Sequence, residues 1–228
     1  MKTKYLGIST NRSGTTYFFN SLAKVTQTTY HDEPMWVRPN NIGLDGMRIA
    51  NANLDQLIAE SNWTCKCFVN HLEHIDQKKF INLMEDSNVF KIYMYRDDIE
   101  DTVLSMLVAQ QTKTFHLDHE NSVRKHHISE YNTPGIVRSM IVNACLMILT
   151  YHRFEWDHIV QYETLSGIPY RDFQFLNLPI PKHLRPSRYK IADKEPKKLL
   201  ITNYSDFKND FDRCCKQYNI SSMLSQNL

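Results

Sequence analysis

The sequence predicts an α/β fold of three layers, with a central parallel sheet between two layers of helices. Three observations predict it. Short runs rich in β-branched and aromatic residues alternate with helical stretches, the pattern of parallel strands joined by crossover helices. A hydroxyl-rich loop with one glycine separates the first apolar run from the first helical stretch, which is the outline of a phosphate-gripping loop. A chain of 228 residues, 42% hydrophobic and 23% charged, suits one domain with a sizeable core, so residues 1–228 are expected to form a single unit.

Residues 4–9, KYLGIS, read as the first strand. Residues 14–25 read as the first helix, with Phe18, Phe19, Leu22 and Val25 at helical spacing. TTYHDEP, 28–34, reads as a short second strand stopped by a proline. Residues 39–53, rich in Asn, Gly and Asp, read as loop, and a helix capped by Asn53 is expected over 53–61. TCKCFVN, 64–70, reads as a strand, DQKKFINLMED, 76–86, as a helix, and VFKIYMY, 89–95, as a strong strand. A helix over 98–111 places Ile99, Val103, Met106 and Leu107 on one face. Residues 112–133 are polar and without period, and are expected to be a variable loop or lid on the acceptor side. A long buried helix follows over 134–154, with Pro134 in its first turn, then a strand over 158–165. Residues 179–198 read as a loop rich in Pro, Lys and Arg, and 204–218 as a closing amphipathic helix.

The net charge of +2 makes no bulk case for nucleic acid, so any anion site is local. The longest apolar run, MIVNACLMIL, is half of the ~20 residues that span a bilayer. Five cysteines, an odd number without a visible secretion signal, suggest reduced thiols, and the expectation is a cytoplasmic chain without a membrane partner. Cys65 and Cys67 are expected on opposite faces of their strand. His116, His119, His126 and His127 fit no tight zinc spacing, and no metal site is expected.

The chemistry of the first loop follows from its residues. A helix N-terminus leaves backbone N–H groups unpaired and carries partial positive charge. Arg12, Ser13, Gly14, Thr15 and Thr16 occupy that turn. Against the triphosphate pattern G-x-x-x-x-G-K-[ST], Gly14 matches the second glycine and Thr16 the hydroxyl, while Thr15 stands in the lysine slot. The missing lysine speaks against ATP or GTP, and Arg12 supplies a cation earlier in the loop.

On these residues, RSGTT after a first strand resembles the 5′-phosphosulfate-binding loop of sulfotransferases, whose donor is 3′-phosphoadenosine 5′-phosphosulfate. The resemblance implies a P-loop nucleotide-binding-like fold. It also implies that Ser13–Thr16 grip the donor's 5′-phosphate and that Arg12 neutralises charge on the bridging oxygen. FKIYMYRDDIEDTVLSMLVA, 90–109, resembles the family's second signature, which implies that Arg96 at a strand end and Ser105 in the next helix hold the 3′-phosphate. Arginine makes forked, charge-assisted bonds to phosphate and a hydroxyl adds a directional one. The family's common proline after this arginine is replaced by Asp97 and Asp98, and the gap to the serine is slightly longer. HIVQYETL, 158–165, and ITNYSDFKNDF, 201–211, resemble its late strand and last helix, and Arg185, Arg188 and Lys190 are candidates for a further phosphate contact.

The function implied is transfer of a sulfuryl group to a hydroxyl acceptor without a metal. Two residues compete as general base. Glu33, in YHDEPMW, is similar to a glutamate proposed as base in carbohydrate and bacterial members, and that analogy points to a carbohydrate acceptor. His71 lies where cytosolic small-molecule members place a histidine after a strand bearing a lysine. Lys66 is read either as support for donor or acceptor or as a solvent-facing strand residue. Two rival readings are a magnesium-ATP-dependent P-loop kinase for a small molecule and a non-catalytic nucleotide-binding relative.

Overall fold

The computed structural model describes residues 3–37, 44–113, 131–182, 184 and 201–220. Five strands make one parallel sheet in the order β2-β3-β1-β4-β5: β1 Lys4–Ser9, β2 Thr29–Asp32, β3 Trp63–Phe68, β4 Val89–Tyr95 and β5 His158–Gln161. The helices are α1 Thr15–Thr26, α2 Leu44–Ala59, α3 Gln77–Glu85, α4 Ile99–Thr112, α5 Pro134–Arg153, the single turn α6 Pro169–Asp172, and α7 Tyr204–Gln217. The expected α/β/α layering is the one observed.

The two faces of the sheet carry separate cores. Leu6, Ile8, Trp63, Cys65 and Tyr93 pack on one side with residues of α2, α3 and the end of α5. Tyr5, Ile92, Met94 and Val160 pack on the other with Phe18, Phe19 and Leu22 of α1 and Phe173. A third cluster joins α4, α5 and α7, where Val103, Leu107, Ile141 and Phe207 meet. Because both faces are covered, all six residues of β3 are buried, as in other enclosed parallel sheets. Gly7 is required by close packing: the Phe19 ring of α1 occupies the space a Cβ would take. That contact seats α1 directly against the end of β1.

Some expectations are corrected. Residues 44–52 are helical, not loop: α2 begins nine residues before Asn53 and buries Gly46, Ala50, Leu54 and Leu57. It packs on the 3₁₀ turn Val69–His74, and tertiary burial overrides the weak helix propensity of its Asn and Gly. The last strand stops at Gln161, and residues 162–164 form a 3₁₀ turn. Cys65 and Cys67, two residues apart, share one face of β3, as the period of a strand requires. Among the described residues α5 is the one helix long and apolar enough to cross a membrane, and here one side of it is built into the core. The histidines at 116–127, most of the expected lid and the basic residues at 185–190 lie outside the described residues.

Candidate active site

In a parallel sheet the crevice lies at the carboxyl ends of the strands, where neighbouring connections leave in opposite directions. Here that point falls between β1 and β4, the strands whose chains turn toward β2 and β5 respectively. Arg12–Thr16 follow β1, Glu33 follows β2, His71 follows β3, Arg96 follows β4, and Tyr162 and Glu163 follow β5. The described residues expected at the site from the sequence therefore follow one rim, Ser105 a little further along α4.

The first loop is tightly specified. Ser13 is fully buried and its hydroxyl donates to the Thr10 carbonyl at 2.7 Å. Gly14 caps α1 at φ 73, and a Cβ there would lie 2.6 Å from the Tyr162 ring. Both the left-handed backbone and the close ring call for glycine. Gly14→Ala is expected to destabilise the fold by about 1–3 kcal/mol and to displace the loop, read as a lower urea midpoint.

Backbone strain marks the same rim. Six described non-glycine residues have positive φ. Gln27, Lys113, Asn177 and Asn219 close helical segments, where the left-handed conformation is ordinary. Arg12 (φ 67) and Glu33 (φ 52) end no helix. Strain of this kind, about 1–3 kcal/mol per residue, persists where the surroundings enforce it and gathers at functional sites.

Lys66 is the residue that sequence reasoning under-weighted. It is fully buried on β3, and its Nζ donates to Thr16 Oγ1 at 2.7 Å while pairing with Asp32 at 3.1 Å and Glu33 at 3.0 Å. The solvent-facing reading is thereby overturned. Register explains the geometry: Lys66 lies level with Asp32 on β2 and with Gly7 on β1, so it projects toward the α1 side. The ammonium that the loop lacks at position 15 arrives from a neighbouring strand. The signal available in the sequence was the lysine in a strand with apolar neighbours on both sides, followed upstream by paired carboxylates to neutralise it.

Glu33 is mostly buried, and burial pushes its carboxyl above the ordinary value; Lys66 opposes that and Asp32 adds to it. His71 is 4% exposed, and burial, with His74 and Lys66 nearby, pulls its imidazole down to about 4. Its Nδ1 has no hydrogen-bond partner. The folded protein thus resists protonation at His71 while the unfolded chain accepts a proton near 6.5. Stability from this residue is complete above that pH and is lost, by about 3 kcal/mol, as pH falls from 6.5 to 4. His158, also lowered by burial, acts in the same direction. His71→Gln is therefore expected to flatten the loss of stability between pH 6.5 and 5, measured by urea unfolding beside the unaltered protein.

At the other end of the crevice Arg96 is 10% exposed and pairs closely with Asp101, with Glu163 at 3.6 Å. Its guanidinium lies 4.6 Å from the Tyr162 ring centre, and its Nη1 donates to the Arg12 carbonyl at 3.4 Å. Arg12 Nε in turn donates to Ser105 Oγ at 3.2 Å. Tyr162 is held protonated by burial against the pull of the two arginines. The two expected anion grips, 12–16 and 96/105, are thus in direct contact. Among the described residues no three His, Cys, Asp or Glu side chains gather as a metal site. No model of a known protein family matches the chain, and no curated protein matches it.

Proposed function

We propose that the chain is a sulfotransferase that moves a sulfuryl group from 3′-phosphoadenosine 5′-phosphosulfate to a hydroxyl acceptor. The observation that carries this is the contact of Arg12 with both Arg96 and Ser105, which merges two cationic anion sites into one crevice. A donor with phosphates at both its 3′ and 5′ ends matches two such sites better than a single linear triphosphate does.

In this reading the backbone at the start of α1, with Ser13, Thr15 and Thr16, holds the 5′ end, and Arg96 with Ser105 holds the 3′-phosphate. Glu33 accepts the acceptor's proton, because it lies beside the loop, is raised by burial and is kept in reach by Lys66. The acceptor oxygen bonds to sulfur, the bond from sulfur to the bridging oxygen breaks, and adenosine 3′,5′-bisphosphate leaves. In this reading Arg12 and Lys66 neutralise the negative charge that builds on that leaving oxygen, so their attraction grows in the transition state. His71, buried and with its imidazole lowered by that burial, is not the base in this reading.

Lys66 beside Thr16 and Asp32 favours one other reading, a phosphoryl-transfer enzyme whose lysine has moved from the loop to β3. Calorimetric titration separates the two. Binding of adenosine 3′,5′-bisphosphate well above that of magnesium-ATP is expected. Preference for magnesium-ATP would replace the sulfotransferase reading by a kinase, and binding of neither would remove both.

A further inference from the structure

Between β4 and the α4–α5 pair lies a cavity of about 50 Å³. Tyr93, Tyr95 and Tyr151 form its aromatic side, and Ile99, Val103, Met140, Ala144, Met147 and Ile148 its aliphatic side. Two of its polar neighbours are already committed. The Tyr93 hydroxyl donates to the Met147 carbonyl at 3.1 Å, and the Thr102 hydroxyl donates to the Asp98 carbonyl at 2.8 Å. Thr10 and Arg96, the first residues beyond β1 and β4, also line it, so it lies directly under the crevice. α5 also packs on the 3₁₀ turn that carries His71.

Protein interiors are close-packed, and a void forfeits dispersion contacts along its whole lining. The pocket is partly open and its lining is mostly apolar, which favours apolar occupants. A sugar ring there meets Thr10, Arg96 and the Tyr95 and Tyr151 hydroxyls on one side only, and each of its hydroxyls that faces the aliphatic side would lack a partner, at about 1–3 kcal/mol apiece. A hydrocarbon group forfeits nothing, and the unbranched thioethers of Met140 and Met147 adapt to its shape. The enclosed volume is about a third of the ~150 Å³ cavity that holds a benzene ring, and the pocket is partly open, so it takes the end of a slim aliphatic chain and not a whole ring.

We infer that this cavity binds the hydrocarbon part of a small apolar alcohol, with the hydroxyl at the Thr10 end facing the donor loop. The inference rests on the sulfotransferase reading for the fate of that hydroxyl, but the cavity's occupant is testable without any donor. It replaces the carbohydrate acceptor suggested by the Glu33 analogy with an aliphatic one.

The test is a titration of the full chain, labelled with ¹³C at its methionine methyls, with 4,4,4-trifluorobutan-1-ol and, separately, with glucose. Saturable shifts of Met140 and Met147 with the fluorinated alcohol, absent with glucose and absent at the exposed Met47 of α2, are expected. Ala144→Phe, which fills the cavity, is expected to lower the alcohol's affinity about tenfold or more while adenosine 3′,5′-bisphosphate binding is kept. Unmoved Met140 and Met147 signals, equal response to glucose, or unchanged affinity in a folded Ala144→Phe protein would each overturn the inference. If Ala144→Phe fails to fold, the methionine shifts of the unaltered chain decide alone. Loss of the donor reading appears differently: no binding of the bisphosphate, with the methionine shifts intact.

Discussion

Arg96→Ala is expected to weaken binding of adenosine 3′,5′-bisphosphate by about a hundredfold while changing adenosine 5′-phosphate binding only a few-fold. A charged hydrogen bond to phosphate contributes about 1.5–3 kcal/mol, which is about ten- to hundredfold in affinity. The variant also strips the cation from Asp101 and Glu163, leaving two carboxylates to repel the incoming phosphate. Removing one partner of a mostly buried pair destabilises the fold by about 3–5 kcal/mol, so binding is measured with a folding control. The double change Arg96→Ala with Asp101→Asn relieves much of that charge and is expected to recover stability without recovering selectivity for the bisphosphate. Equal weakening of both nucleotides by calorimetry would remove Arg96 from the 3′ position.

Glu33→Gln is expected to lower kcat by about 10²- to 10⁴-fold, the range for loss of a general base, with bisphosphate binding retained. Glutamine keeps the volume and tolerates the same backbone conformation as well as glutamate does, so the rim remains assembled. Because burial raises the Glu33 carboxyl, the kcat/KM of the unaltered protein should fall as pH drops through a value above the ordinary carboxylate range. That acid limb should disappear with the glutamine variant. Full activity in Glu33→Gln together with loss in a folded His71→Gln protein would transfer the base assignment to His71.

The elements that announced themselves in the sequence are those whose local preference and tertiary role agree. β4 was legible to the residue because five of the seven residues of VFKIYMY are β-branched or aromatic, and α5 because proline and a long apolar stretch mark it. α2 was obscured because Gly46, Asn51 and Asn53 carry turn chemistry locally, which tertiary burial overrides. The arginines proposed as anion grips could be singled out as residues, since anion chemistry restricts the side chains that can serve. Their mutual contact could not be, because Arg12 and Ser105 are brought together only by the placement of β1 beside β4. Lys66 was hidden for the same reason: its partners on β2 and α1 are set by strand order and register, which no local pattern encodes.

All five strands run the same way, so every residue given a chemical role stands on one rim of the sheet. The opposite rim is closed by turns near residues 28, 62, 88 and 157, where Asn62 donates to the Gln27 carbonyl and Lys91 N–H to Asp157. Those turns need only return the chain to the next strand. Under the proposed function, selection on the reaction acts on one edge of the molecule and leaves the other free to drift, lengthen or acquire new attachments. A lineage built on this frame can change its surroundings without relearning its chemistry.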